Sequence, residues 1–164
     1  MPRIYAVTYN GTLTAAGTDT DLLSVQPADD RPVRLRGFRL SQIAKVSDAN
    51  EVAARITIKR LPATFTVGSG GSAITAVAPV DDAGGTVWGA TVRCNDTTVA
   101  TTNGTAQTLE ELGWNVRNTP CDFWYPDQDF CPKVKQTEGL IVRMETTLGG
   151  DIANFCGTFW LEEY

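Results

Sequence analysis

The 164-residue chain contains no histidine. That absence removes the commonest general base, so neither a Ser–His–Asp nor a Cys–His constellation can be built from it. It also leaves a zinc site with four thiolates at most, and the cysteines at 94, 121, 131 and 156 include no C-x-x-C pair. No apolar run approaches the roughly 20 residues that a membrane-spanning helix needs. The opening "MPRIYAVTYNG" lacks the charged start, apolar centre and small-residue cleavage site of a secretory signal. A product made and kept in a cytoplasm is therefore expected. Cations are scarce too: 14 Lys and Arg against 19 Asp and Glu leave a net charge of −5. Nucleic-acid binding, which needs clustered cations to displace phosphate counterions, is not expected.

A phosphate-binding loop is also missing. "GSGGS" (Gly68 to Ser72) follows a strand-like segment, but no Lys-Ser or Lys-Thr pair follows it, and Pro79 stands where a helix would continue. Paired carboxylates at Asp29/Asp30, Asp81/Asp82, Glu110/Glu111, Asp127/Asp129 and Glu162/Glu163 mostly sit in turn-like contexts, where Asp bonds its own backbone. Neighbouring acids on a strand also point to opposite faces. "DFWYPDQDF" carries three aspartates but lacks the ligand order and distal glutamate of a calcium loop. An enzyme is not expected, and no cofactor or metal is called for. Asn10, Asn95 and Asn103 match the N-glycosylation acceptor pattern, but without a signal peptide they read as turns.

What the chain has is alternation. "RIYAVTY", "PVRLRGFRL", "VAARITIKRL", "ATFTV", "TVWGATVRC", "GLIVRMET" and "NFCGTFWLEEY" alternate or run β-branched and aromatic, and 22 threonines suit half-exposed pleated surfaces. Turn signals separate the runs at Asn10-Gly11, Pro27 to Asp30, Asp81 to Gly85, Asn103-Gly104 and Gly149-Gly150. One helical turn is expected at "TLEELG", where Thr108 and Glu111 form a capping box closed by Gly113. The expected fold is all-β: a single-domain β-sandwich over 1–164, jelly-roll or Greek-key like, with a glycine-hinged arm or long loop at 66–86.

Three places stand out as contact surfaces. "RPVRLRGFR" concentrates Arg31, Arg34, Arg36 and Arg39, either as the solvated face of a half-buried strand or as a positive patch for an acidic partner. The apolar segment between the glycine hinges is expected to bury Ile74, Val77 and Val80 against a neighbouring subunit or against the same sandwich. "CDFWYPDQDFCP" places Phe123, Trp124 and Tyr125 in one loop, as an end cap, a subunit contact or a sugar-stacking platform. Cys121 and Cys131 flank this loop, either as a disulfide pair or as free thiols behaving like small hydrophobes.

Three segments, "MPRIYAV", "QPADDRPVRLRGFRLSQ" and "FCGTFWLEEY", together with the glycine-rich connection, resemble small virion proteins of tailed bacteriophages that decorate or cement the head. The resemblance implies a non-enzymatic sandwich on the capsid surface, made in the bacterial cytoplasm. Its implied partners are the major capsid protein and copies of itself, often as a homotrimer. It transfers no functional residues, and the cysteines and "FWYPDQDF" lie outside it. Alternative readings are a carbohydrate- or receptor-binding module using Trp124 and Tyr125, and a head–tail or tail component.

Overall fold

The structure, a computed structural model, describes residues 3–13, 19–43, 53–78, 88–115, 120–145 and 153–164. Its strands are β1 (Arg3–Leu13), β2 (Thr20–Gln26), β3 (Val33–Gln42), β4 (Ala53–Leu61), β5 (Phe65–Thr66), β6 (Ser72–Ala73) and β7 (Thr91–Cys94). The series continues with β8 (Thr101–Thr102), β9 (Gln107–Asn115), β10 (Cys121–Trp124), β11 (Lys133–Val134), β12 (Gly139–Met144) and β13 (Ala153–Glu163). One sheet has the order β1-β13-β3-β10, with β11 also on β3; the second has the order β6-β7-β2-β12-β4-β9. Every described pairing is antiparallel.

The chain changes sheet at nearly every step. β1, β3, β10 and β13 belong to the first sheet, while β2, β4, β9 and β12 belong to the second. Such wrapping is what Greek-key and jelly-roll sandwiches share, and it puts the first and last strands side by side. Between the sheets lies an apolar core that includes Val7, Leu23, Leu35, Phe38, Ile56, Ile58, Leu140 and Phe159, all 0 % exposed. The ring of Trp114 on β9 meets Phe155 on β13 edge-on at 5.5 Å, tying one sheet to the other.

The expected helical turn at Thr108–Gly113 is instead the middle of β9. A capping box stabilises a helix start by about 1 kcal/mol, and six residues are too few for an independent helix. Pairing β9 along β4 buries Trp114 to 4 % exposure, an effect worth about 3 kcal/mol, and adds a ladder of backbone bonds. Tertiary pairing wins. The described helical turn is a 3-10 turn at Gln128–Phe130, capped by the Asp127 carboxylate accepting from the Asp129 amide at 3.2 Å.

Other local expectations shift for similar reasons. Asn10-Gly11 is not a turn, because β1 pairs with β13 straight through to Leu13. Gly11 is required there because the Tyr9 ring lies where a Cβ would stand. "TDLLSVQ" shows no alternation, yet it forms β2 in the middle of the second sheet, buried on both faces. Of "ATFTV" only Phe65–Thr66 is strand, and among the described residues of "TVWGATVRC" only Thr91–Cys94. The turn signals at Asp81 to Gly85 and Gly149-Gly150 lie outside the described residues.

The two sheets differ in what covers their outer faces. On the second, the outward residues Asp21, Thr57 and Ile141 are 0 % exposed, while Arg55 and Glu111 on the same face stay about half exposed. The excursion between β4 and β9 packs Phe65 and Ala100 with Leu61 and Ile141. Asp21 sits beneath it, accepting from Arg143 Nε at 2.6 Å and from the Ala100 amide at 2.6 Å. Beside it, Asp96 accepts from Arg93 Nη2 at 2.8 Å and from the Gly71 amide at 3.0 Å. The outer face of the first sheet carries no such cover among the described residues.

Candidate functional site

On β3 the alternation of "VRLRGFRL" is broken by one extra residue. Trp160 of β13 pairs with Gly37, while Leu161 pairs with Leu35, so Arg36 is the bulged position. The bulge keeps Leu35 and Phe38 in the core and turns Arg34, Gly37 and Arg39 to the outer face. From the other side, Trp124 of β10 also pairs with Gly37. The two indoles therefore meet over a residue without a side chain, with ring centroids 4.5 Å apart and planes inclined by 32°. A Cβ on Gly37 would stand 2.5 Å from the Phe123 carbonyl oxygen and 2.8 Å from Trp124 Cε3. Glycine is what lets the pair form.

The same register row continues to the sheet edge. Ala6 pairs with Trp160, and Val77 forms a two-bond bridge to Ala6 at 2.8 and 2.9 Å. Directly opposed residues share a face, so Val77, Ala6, Trp160, Gly37 and Trp124 make one apolar strip across the sheet. Four strand spacings give it a length of about 19 Å. Val77 is 64 % exposed and Trp124 50 %, with Ile4 at 46 % in the next row. Tryptophan is enriched in interface cores relative to the rest of a protein surface.

Ion pairs border the strip on both sides. Glu162, 4 % exposed, accepts from Arg34 Nε at 2.8 Å and Nη2 at 2.7 Å, and Arg36 Nη1 lies 3.6 Å away. Hydrogen bonding to Glu162 raises the Arg34 pKa further above its ordinary value. Arg34 also donates to Gln128 Oε1 at 2.8 Å, and Tyr164 receives both Arg34 and Lys133 on its ring face. Across the strip, Arg39 grips Asp122 with Nε–Oδ1 at 2.6 Å and Nη2–Oδ2 at 2.9 Å. Each arginine of the stripe thus has a carboxylate within reach, Arg34 and Arg36 sharing Glu162.

The other expected site residues separate. Phe123 and Tyr125 turn inward, Phe123 stacking on Phe38 at 5.6 Å and meeting Tyr125 edge-on at 4.9 Å. Trp124 turns outward, so Trp124 and Tyr125 do not form a joint sugar platform. Ile74 is half-buried against the core, and its amide donates to the Val92 carbonyl at 3.0 Å. The segment from 72 to 78 lies along its own sandwich, with the Val77 side chain exposed rather than buried. Val80 lies outside the described residues. All four thiols are free. Cys121 pairs with Leu40, whereas Pro132, next to Cys131, bonds Leu35. Five residues of strand put the two cysteines on the order of 15 Å apart, well beyond bridging distance.

Trp160 and Gly37 escaped the sequence reading, although a signal was present. In "TFWLEEY" the alternation puts Trp160 among Thr158 and Glu162 on the polar face, where a tryptophan is out of place. Asp122 and Asp127 are occupied by Arg39 and by the 3-10 cap. Among the described residues no three acidic or thiol side chains gather as a metal site. No protein-family model, curated protein or solved structure matches the chain.

Proposed function

We propose that this protein is a structural component of a tailed-bacteriophage virion, a head decoration protein that docks on the capsid through the outer face of its first sheet. The observation that carries this reading is the Val77–Ala6–Trp160–Gly37–Trp124 strip, apolar throughout and exposed at both ends, on a face whose arginines are ion-paired. Its location adds support. The three segments that resemble head decoration proteins are far apart in sequence, yet they contribute β1, β3 and β13, which lie side by side. The glycine-rich connection joins the same row through Val77. What resembles that group is thus concentrated in one surface.

The remaining surface suits a protein that stays dispersed until it meets the particle. Net charge is −5, and part of the second sheet's outer face is covered by its own excursion. On the particle, copies of the chain associate as trimers, with the capsid protein as the other partner. The test is co-sedimentation with the heads of the phage that encodes the chain, combined with light scattering. Native protein pellets with heads, while Trp124→Ser/Trp160→Ser folds normally and remains in the supernatant. A chain that never associates with heads, or a double variant that pellets undiminished, defeats the reading.

A further inference from the structure

At the open side of the sandwich, where β9 ends one sheet and the loop after β10 leaves the other, a cleft of about 360 Å³ is lined by Arg60, Leu109, Glu110, Tyr125, Phe130 and Lys133, with Cys131 and Pro132 behind. This volume is at the small end of ligand sites. We propose that the cleft binds a neutral pyranoside, a function independent of the tryptophan strip.

Three features point to that class. Phe130 stands on the capped 3-10 turn with 69 % of its surface exposed, far more than a phenylalanine with only a packing role needs. An exposed aromatic ring held on a rigid turn offers a flat apolar face to the C–H side of a sugar ring. The polar groups are mixed in sign. Gln107 accepts from Arg60 Nε at 2.8 Å and Nη2 at 2.5 Å, which orients the guanidinium while committing two of its five N–H donors. The Glu110 carboxylate has no hydrogen-bond or ion-pair partner among the described residues. A donor fork beside a free acceptor suits hydroxyl groups, which donate and accept at once. A net anion would meet Glu110, and a net cation would meet Arg60 and Lys133. Finally, Tyr125 is 8 % exposed and its hydroxyl is buried without a hydrogen-bond partner. With that hydroxyl closed off from solvent, Tyr125 offers the cleft its apolar ring.

Saturation-transfer NMR with the methyl pyranosides of glucose, galactose, mannose and N-acetylglucosamine tests the proposal. At least one is expected to receive saturation on its ring protons. Phe130→Ala and Glu110→Gln, both near the surface, should each weaken binding by about tenfold or more with unchanged amide spectra. Trp124→Ser should leave binding unchanged, so loss of head docking and loss of sugar binding separate cleanly. Silence from all four pyranosides, retention of binding in Phe130→Ala, or loss of binding in Trp124→Ser overturns the proposal.

Discussion

Replacing Arg143 by methionine tests how the covered part of the second sheet's outer face is held together. Asp21 has a fully buried side chain, and Arg143 is 11 % exposed. The guanidinium donates Nε–H to Oδ1 at 2.6 Å and Nη2–H to Oδ2 at 3.3 Å, and also reaches the Ala100 carbonyl at 3.0 Å. Methionine keeps most of the volume but strands the carboxylate. Breaking a buried pair on one side costs about 3–5 kcal/mol, a large part of the 5–15 kcal/mol typical of a domain. The pH dependence supplies the decisive check. Burial pushes the Asp21 carboxyl above its ordinary pKa, and the Arg143 hydrogen bond and charge pull it back only in part. A carboxyl raised in the folded state binds its proton more tightly there than in the unfolded chain. Its favourable contribution is complete below the unfolded pKa and is lost as pH rises through the folded one. Without Arg143 that window extends upward, so the deficit of the variant is smaller at roughly pH 5 than at neutral pH. Urea unfolding followed by tryptophan fluorescence at both pH values measures it. Asp21→Asn/Arg143→Met should recover much of the loss, since the charge is gone and Asn can still accept from the Ala100 amide. A loss below about 1 kcal/mol at neutral pH, or an equal loss at both, would refute the stranded-carboxylate account.

Four further outcomes follow from the same structure. Gly37→Ala should cost about 1–3 kcal/mol through collision with the Phe123 carbonyl and Trp124, and it should reduce the near-ultraviolet dichroism of the indole pair. Glu162→Gln leaves Arg34 and Arg36 short of a counter-charge and should lower stability by about 2–3 kcal/mol in urea titration. Glu145 is pushed up by burial, but hydrogen bonds from Lys59 and Thr57 outweigh this and hold its pKa below the ordinary 4.5. Its contribution is therefore present above that value and lost as pH falls through the depressed one, and Lys59→Met should flatten this acid limb. Cys94 is buried with its pKa pushed up to about 12, so it should resist alkylation in the native state, whereas all four thiols react after unfolding, with or without reductant.

Period-2 patterning by itself determined the all-β class and the location of β1, β3, β4, β12 and β13, because alternation is a local property that survives without knowing the partner strand. It also put Arg34 and Arg36 on one face of β3, opposite Val33 and Leu35, and Trp160 on the polar side of its strand; Arg39 joins the outer face only through the bulge. It could not show β2, because a strand buried on both faces has no alternation to read. Nor could it show β9, where a local capping signal is outweighed by burial of Trp114 and pairing with β4. The candidate site was legible only in fragments. Trp124 and Tyr125 looked like neighbours in a loop, yet one strand pleat sends them to opposite faces. Trp160, Gly37 and Trp124 looked unrelated, yet two antiparallel registers and one bulge bring them into a single row. Register is the sum of many distant backbone pairings, and a shift of one residue would reverse every side chain. For that reason the tertiary structure alone decided which aromatics face solvent and which arginines find carboxylates.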